Sequence, residues 1–170
     1  MVITQFFATY QFDFPRFEHH AAQTCDEFQA LSSHIPGTRN KNLFLRDKKG
    51  IRHLLVIVPP YLTVDLVSLS KILGIKRLGF ASKERLKKFL SVSSGSLSVL
   101  SLMNDTLNNV ELVIDRSIWH AEAIQAHPHI NTQTVIISKS ELERFLLKTR
   151  HQPTIIDIPG SPSALEALGT

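Results

Sequence analysis

Lys41 and Asn42 place an ammonium and an amide next to each other at the start of a predicted strand. Side chains alternate along a strand, so Lys41 shares a face with Leu43 and Leu45 while Asn42 points the other way. A lysine at the end of an apolar face either extends to solvent or projects its charge into a pocket. The backbone of Asn42 can face the same cavity, so the pair is a candidate site if Lys41 occupies a pocket.

Two further polar segments could belong to a site or serve only the architecture. The first runs from a loop into a predicted strand and comprises His127, Pro128, His129, Ile130, Asn131 and Thr132. Proline fixes the shape of loops, so this segment is also explained by structure alone. The second comprises Asn104, Asp105 and Thr106, whose side chains commonly cap their own turn. The residues by themselves leave both alternatives open.

The motifs of several enzyme classes are missing from the chain. It contains no GxxxxGK[ST], GxGxxG, HExxH or GxSxG pattern, which removes the usual support for nucleotide, dinucleotide, zinc-protease and serine-hydrolase chemistry. Of the eight histidines, His19 and His20 are adjacent and diverge, and His127 and His129 have no nearby carboxylate. Cys25 is interpreted as a small hydrophobic residue. The sequence therefore predicts no metal and no cofactor.

The positive charge is concentrated in two segments, 39–52 and 71–88. They hold 13 of the 19 basic residues and only two acidic ones, so they sum to +11 while the rest of the chain sums to −7. Such blocks suit a polyanion, although they equally fit exposed helix faces. The aromatic residues of the second block, Phe80 and Phe89, occupy core-like positions, so stacking on single-stranded bases is not indicated.

Length and composition favour one domain without a membrane segment. The chain has 170 residues, 43% of them hydrophobic, and a single cysteine, which is typical of a reducing compartment. The N-terminus lacks the features of a signal peptide, and the longest apolar run, residues 54–58, is far shorter than the ~20 residues that span a bilayer. We expect a cytoplasmic protein whose single domain spans 1–170, with a core at about 10–157 and a loose tail at 159–170.

Helix and strand signals alternate irregularly along the chain. Capping boxes at 24–27 and 138–141 predict helices to about Leu31 and Lys148, and further helices are predicted over 64–73 and from Ser82. Predicted strands cover 41–46, 52–58, 77–80, 97–102, 110–115, 133–137 and 154–157. Residues 41–58 indicate one β-hairpin, and Asn108-Asn109 a second one joining 97–102 to 110–115. This mixture predicts an α/β (α+β) fold with a mixed sheet.

Five segments in order resemble the YbaK/ProX superfamily over about residues 10–157. They are Lys41–Asp47 with Lys48-Lys49-Gly50; Val64-Asp65-Leu66 with Leu73-Gly74; Arg77–Ser82 with Gly95-Ser96; Asn104-Asp105-Thr106; and His127-Pro128 with Asn131-Thr132. The chain is similar to the freestanding prolyl-tRNA editing branch, which removes alanine from mischarged proline tRNA. The resemblance implies a barrel-like mixed sheet flanked by helices.

The resemblance also implies the chemistry and its residues. The reaction is hydrolysis of the aminoacyl ester, which needs oxyanion donors and a positioned water more than a nucleophile. Lys41 corresponds to an essential lysine, Asn42 to a hydrogen-bonding neighbour, and His127 to a histidine that shapes the aminoacyl pocket. The remaining implied pocket residues are Gly95, Ser96, Asn104, Asp105, Thr106, Ala126, Asn131 and Thr132. Val99 and Ala126 depart from the family pattern near the pocket, and the usual N-terminal helix is missing or abbreviated.

The implied partner is mischarged proline tRNA, with prolyl-tRNA synthetase left open as a second partner and neither DNA nor a membrane expected. The candidate tRNA-binding residues are Arg39, Arg46, Lys48, Lys49, Lys83, Lys87 and Lys88. Three alternatives remain: a catalytically silent module that binds tRNA or a synthetase, a deacylase for another small amino acid, and a small-molecule hydrolase. The last of these leaves the basic segments unexplained.

Overall fold

The computed structural model describes residues 1–21, 27, 30 and 33–161. The helices are α1 (Ile3–Tyr10), α2 (Leu66–Ile72), α3 (Lys83–Leu90), α4 (Arg116–Trp119) and α5 (Lys139–Thr149), with 3-10 helices at Ser94–Ser96 and Val99–Asn104. The strands are β1 (Arg16–Glu18), β2 (Lys41–Asp47), β3 (His53–Val58), β4 (Leu78–Phe80), β5 (Val110–Asp115), β6 (Ala123–Ala126), β7 (Gln133–Ser138) and β8 (Pro153–Ile156). Most of the predicted helix at 24–31, with Cys25, and the tail from 162 lie outside the described residues.

The larger sheet is mixed, as the sequence predicted. Its five strands lie in the order β4-β2-β3-β5-β8. β2 and β3 form the predicted antiparallel hairpin, while β5 runs parallel to both β3 and β8. Every residue of β3 is buried, which is typical of a central strand covered on both faces.

A three-stranded sheet in the order β1-β7-β6 packs beside the larger one. The two sheets are joined by a parallel bridge between Thr38 and Ile124, just before the chain turns into β2. The main hydrophobic core contains residues of both sheets and of α1, α3 and α5. The arrangement is barrel-like without being a closed barrel, and it confirms the expected fold class of a mixed sheet flanked by helices.

Helix boundaries follow the capping residues in the sequence. The Ser138 hydroxyl accepts a hydrogen bond from Glu141 N, the Ser82 hydroxyl from Arg85 N, and the Asp65 carboxylate from Val67 N and Ser68 N. These bonds satisfy N–H groups that lack partners within the helix. The predictions for α2, α3 and α5 are therefore confirmed to within two residues.

The prediction of a strand over 97–102 is wrong. This region forms a 3-10 helix in which Val99, Leu100, Ser101, Leu102 and Met103 are all buried. A short, mostly apolar segment fits a buried helical turn as well as a buried strand, and periodicity cannot separate the two. Ser98 N donates to Ser101 Oγ and stabilises the turn.

The second predicted hairpin, at Asn108-Asn109, is wrong for the same reason. The segment directly before this turn is the 3-10 helix Val99–Asn104, and β5 pairs with β3 and β8 instead. The predictions also missed β1, β6, α4 and the short helix α1. α1 buries Phe6 and Phe7 in the main core.

Candidate active site and nucleic-acid interface

The free edge of β2 borders a cleft. β4 pairs only with Leu45–Asp47, and Ala81 N then donates to Phe44 O. Among the described residues no strand continues along this edge beside Lys41–Leu43. A cavity of about 170 Å³ lies here, which we call the edge cleft. It is lined by Asn42, Leu43, Phe44, Phe80, Ala81, Ser82, Lys83, Leu86, Ser94 and Leu97.

A second, smaller space adjoins the edge cleft at Asn42. This inner pocket has a volume of about 10 Å³, close to the minimum that holds one water molecule. It is lined by Asn40, Asn42, Gln125, Ala126, His127 and Thr134. The start of β2, the end of β6 and β7 supply these side chains, so the pocket exists only because the two sheets meet here.

Asn42 contributes to both cavities and is incompletely hydrogen-bonded. Its Nδ2 donates to Asn40 Oδ1 at 3.2 Å, and Asn40 Nδ2 donates in turn to Gln125 O at 2.8 Å. Its buried Oδ1 has no hydrogen-bond partner in the described part of the chain, and neither has Gln125 Oε1. A buried polar atom without a partner is destabilising, so the pair marks a place where a ligand or water can bind.

The backbone of Asn42 also faces the edge cleft. The Phe44 carbonyl points towards β4, because it accepts from Ala81 N. Backbone groups two residues apart point to the same edge of a strand, so the N–H of Asn42 points to the part of the edge that β4 does not cover. The edge cleft therefore contains a backbone donor and an amide from the same residue.

His127 is held beside the inner pocket by two backbone contacts. Its carbonyl accepts a hydrogen bond from Ser98 Oγ at 2.7 Å, and its Nδ1 lies 3.3 Å from Gln133 O. Burial lowers the pKa of the imidazole, the hydrogen bond to Gln133 opposes this effect, and the neighbouring charge of His19 adds to the lowering. The ring is therefore neutral near pH 7 and donates through Nδ1.

Lys41 lines neither of the two cavities. Strand alternation puts it on the face of Leu43 and Leu45, which belong to the second hydrophobic cluster, opposite Asn42. Leu43 is on this face and still lines the edge cleft, because the cleft wraps around the uncovered edge of β2. The half-buried Lys41 is two residues away, so its flexible side chain can reach around the same edge.

The other predicted pocket residues are divided between the cleft and other places. Ala126 lines the inner pocket. Gly95 is exposed and Ser96 half-buried, whereas their neighbours Ser94 and Leu97 line the edge cleft. Asn131 and Thr132 are exposed in the turn that connects β6 to β7. Val99 is buried in the main core and lines neither cavity.

Asn104, Asp105 and Thr106 lie away from both cavities. They line a separate cavity of about 480 Å³ between α1 and the end of α5. The Asp105 carboxylate accepts from Asn109 N at 2.9 Å, from Val110 N at 2.7 Å and from buried His151 Nε2 at 3.1 Å. The structure thus brings this triplet to the start of β5, where Asn104 and Asp105 are hydrogen-bonded within the fold.

The two basic segments of the sequence come together in space. Arg85 of α3 donates to Gly50 O at 3.1 Å and lies 2.9 Å from His53 Nε2, which joins α3 to the β2–β3 turn. Gly50 has a φ of +68°, and a Cβ there would lie 2.6 Å from the Arg85 guanidinium, so glycine is favoured at this position. We call the resulting surface the basic face; its exposed lysines are Lys48, Lys49, Lys83, Lys87 and Lys88.

Two of the predicted tRNA-binding arginines differ from these lysines. Arg46 is half-buried, and its Nη1 donates to Asp47 O and Lys48 O, which shapes the turn. Arg39 is half-buried between the Thr38 bridge and β2. Lys83 is the member of the basic face that also lines the edge cleft.

Sequence reasoning missed several residues of the site. Ser98, Thr134, Gln125 and Asn40 carried no local motif, because they meet only when β6 and β7 pack beside β2. His19 also belongs here, since its Nε2 lies 2.9 Å from Thr134 Oγ1. The pairing of β1 with β7 brings it to this position.

Neither a metal site nor a membrane span is found in the parts of the chain that the structure describes. Their His, Cys, Asp and Glu side chains form no group of three that could hold a metal ion. None of the helices within 1–21 and 33–161 is long and apolar enough to cross a bilayer.

Comparisons with known proteins identify one family. The model of the aminoacyl-tRNA editing domain matches residues 19–145. The prolyl-tRNA editing protein ProX of Acetoanaerobium sticklandii is 34% identical over 129 residues, 76% of this chain and 79% of that protein. The prolyl-tRNA synthetase associated domain-containing protein 1 of Danio rerio is 38% identical over 141 residues, 82% of this chain and 76% of that protein.

A solved structure supports the same fold. The protein is named as a trans-editing enzyme for prolyl-tRNA synthetase. Its structure matches with a TM-score of 0.69, over 94% of this chain and 96% of that one. The sequence identity is 18%, so this similarity establishes the fold alone.

Proposed function

This chain belongs to the aminoacyl-tRNA editing domain family, and we propose that it hydrolyses the ester of a mischarged proline tRNA, with alanine as the amino acid removed. The observation that carries the proposal is the juxtaposition of the incompletely bonded Asn42 with the basic face, through Lys83, in one cleft. The same function places the protein in the cytoplasm. It also makes prolyl-tRNA synthetase a candidate partner.

The edge cleft can stabilise the charge that develops when an ester is attacked. Ester hydrolysis passes through a tetrahedral oxyanion, and preorganised N–H donors lower its energy. The Asn42 N–H points to the uncovered edge of β2, and the Lys41 side chain is long enough to bring its ammonium to the same edge. We assign the oxyanion to these two groups, which requires no nucleophilic side chain.

The inner pocket provides a position for the attacking water. Its volume fits one water molecule, and Asn42 Oδ1 can accept a hydrogen bond from that water. As the bond between the acyl carbon and the ribose oxygen breaks, the proton that the attacking water loses ends on the ribose oxygen, which leaves as a hydroxyl group. His127 lines the same pocket and is neutral, so it adds no charge there. We therefore assign His127 a role in shaping the pocket and orienting the water, and Asn42 contacts with both water and substrate.

The size of the edge cleft suits a small acyl group. Leu86 and Leu97 form apolar walls, and a space of about 170 Å³ must also admit part of the terminal ribose. Steric exclusion rejects larger acyl groups, whereas a single methylene changes the binding free energy by only ~1–3 kcal/mol. Discrimination between alanine and its nearest neighbours in size is therefore modest, and a second small amino acid is cleared more slowly.

A panel of proline tRNAs charged with alanine, cysteine, serine or proline tests the proposal. We expect the alanyl ester to be hydrolysed fastest and the prolyl ester to remain intact. Preference for another small acyl group would keep the deacylase and correct its specificity. No hydrolysis of any ester, with tRNA still bound, would instead identify a silent binding module.

A further inference from the structure

Phe80 is a large aromatic side chain that the fold leaves in solvent. It is 64% exposed, so the prediction that it lies in the core is wrong. β4 is an edge strand, and Phe80 is its last residue, where the chain leaves the sheet towards Ser82. Phe89, the other aromatic residue of this segment, is half-buried with its ring 4.0 Å from that of His53. Burial therefore explains Phe89 and leaves Phe80 without a packing role.

The aromatic ring of Phe80 shares the edge cleft with a cationic side chain. Phe80 and Lys83 line the edge cleft together, three residues apart across the start of α3. Lys87 and Lys88 extend the positive charge along the same helix. Single-stranded nucleic acid is bound by this combination, because bases stack on aromatic rings while cations contact the phosphates.

The position of Phe80 relative to Asn42 suggests which nucleotide it binds. Both residues line the edge cleft, so a base stacked on Phe80 can place its ribose in the cleft that contains Asn42. The ester to be hydrolysed is attached to the ribose of the terminal nucleotide of the tRNA. We propose that Phe80 is a stacking platform for the terminal adenine, an inference that rests on the proposed function.

The chemistry favours a single-stranded end over the double-stranded acceptor stem. Bases within a duplex are already stacked on their neighbours and present only their edges in the grooves. An aromatic face is therefore useful only to an unstacked base, such as the one at a free 3′ end. Phe80 is a positioning residue, which holds the nucleotide so that its ester meets Asn42.

The test uses uncharged proline tRNA with 2-aminopurine in place of the terminal adenine. Stacking on Phe80 changes the fluorescence of this base when the wild-type protein binds. We expect Phe80→Ala to abolish the change and to raise Kd about fivefold to a hundredfold. Phe80→Trp should retain both the signal and the affinity. Loss of both in Phe80→Trp, or an unchanged signal in Phe80→Ala, would overturn the proposal.

Two controls separate stacking from a general loss of surface. Tyr61 is 84% exposed and lines neither cavity, so Tyr61→Ala should leave the fluorescence change intact. A proline tRNA shortened by its terminal nucleotide should bind wild-type protein as weakly as intact tRNA binds Phe80→Ala. The two losses should not add when combined, since both remove one interaction. Additive losses, or an equal effect of Tyr61→Ala, would contradict the stacking.

The binding assay requires no hydrolysis, so it is independent of the catalytic proposal. If mischarged tRNA is hydrolysed while the terminal base shows no fluorescence change, the deacylase stands and the Phe80 platform is wrong. If the base stacks on Phe80 while no ester is hydrolysed, the platform stands and the deacylase is wrong.

Discussion

The cleft beside β2 and the cluster around Asp105 are both polar, yet they differ in how completely their side-chain oxygens are hydrogen-bonded. Asp105 accepts three hydrogen bonds, and Asn104 Nδ2 donates to Leu90 O at 2.8 Å. In that cluster His151 Nδ1 is the buried atom without a partner. Beside β2, Asn42 Oδ1 and Gln125 Oε1 both lack partners, and β2 itself has an uncovered edge.

The difference shows how a polar motif can be assigned after folding. A cluster whose groups bond to each other stabilises the chain and has little capacity left for a ligand. A cluster whose donors and acceptors remain incomplete lowers the stability and retains that capacity. On this basis we assign Asn42 to the proposed binding site and Asp105 to the framework.

The largest expected effect is the loss of hydrolysis in Lys41→Ala, a variant that tests the cleft beside β2. Loss of one group that stabilises an oxyanion lowers the rate about a hundredfold to a thousandfold. We expect this loss in single-turnover hydrolysis of alanyl-tRNA(Pro), with an unchanged free energy of unfolding. Lys76→Ala, an exposed lysine that lines neither cavity and lies outside the basic face, is the matched control. Equal hydrolysis rates for Lys41→Ala and the wild type would remove Lys41 from the mechanism.

Asp105→Ala should have the opposite effect, with a loss of stability and unchanged hydrolysis. Removing one partner of a buried, hydrogen-bonded pair destabilises a protein by about 3 kcal/mol. We expect this decrease in the free energy of unfolding, measured by denaturant titration, with normal hydrolysis per folded molecule. Thr106→Ala, an exposed neighbour, should change stability by less than about 0.5 kcal/mol. A specific defect in hydrolysis by folded Asp105→Ala would return the triplet to the site.

Asn42→Ala tests whether incomplete hydrogen bonding is retained for function. We expect kcat/KM to fall about tenfold, because the backbone N–H remains while the amide contacts with water and substrate disappear. The free energy of unfolding should change by less than about 1 kcal/mol, since removal of the unpartnered Oδ1 offsets the loss of the hydrogen bond to Asn40. A large loss of stability would place Asn42 in the framework with Asp105.

The triple variant Lys83→Gln, Lys87→Gln and Lys88→Gln probes the basic face next to the cleft. Each phosphate contact releases counterions, so the variant should bind uncharged proline tRNA about tenfold more weakly at low salt. The slope of log Kd against log salt should fall by about 2. Replacement of Lys71, Lys76 and Lys148 by Gln changes the net charge equally and serves as the control. Unchanged affinity of the first triple variant at low salt would exclude this face.

The smallest expected effect is a decrease in the free energy of unfolding at acidic pH, because burial makes several histidines harder to protonate. Burial, followed by the Arg85 cation, lowers the pKa of His53, and burial also lowers the pKa of His127 and His129. The unfolded chain then binds protons more tightly than the folded chain, so stability should decrease as the pH falls below about 6.5 and stay constant above it.

His53→Gln isolates one contribution to this pH dependence. Glutamine offers an acceptor to Arg85 and cannot titrate, so the variant should lose less stability between pH 7 and pH 5 than the wild type. An identical pH profile for the two proteins would show that His53 makes no contribution.

Local signals predicted most elements, because their causes lie close together in sequence. Ser82 and Ser138 cap helices through residues three positions later, and the turn at Gly50 joins adjacent strands. The run at 97–102 was mistaken for a strand because its burial on all sides hides any periodicity. β1 and β6 were missed because they are short strands that depend on β7 for pairing.

Sequence alone determined the order of the main elements, the caps of three helices, the β2–β3 hairpin and the presence of two basic segments. The tertiary structure decided that these segments form one face, that Phe80 is exposed, and which polar motif is left incomplete. The physical reason is the distance along the chain between the residues that interact. Caps and turns are satisfied within a few residues, whereas the hydrogen bonding of Asn42 or Asp105 depends on strands and loops far away in the chain.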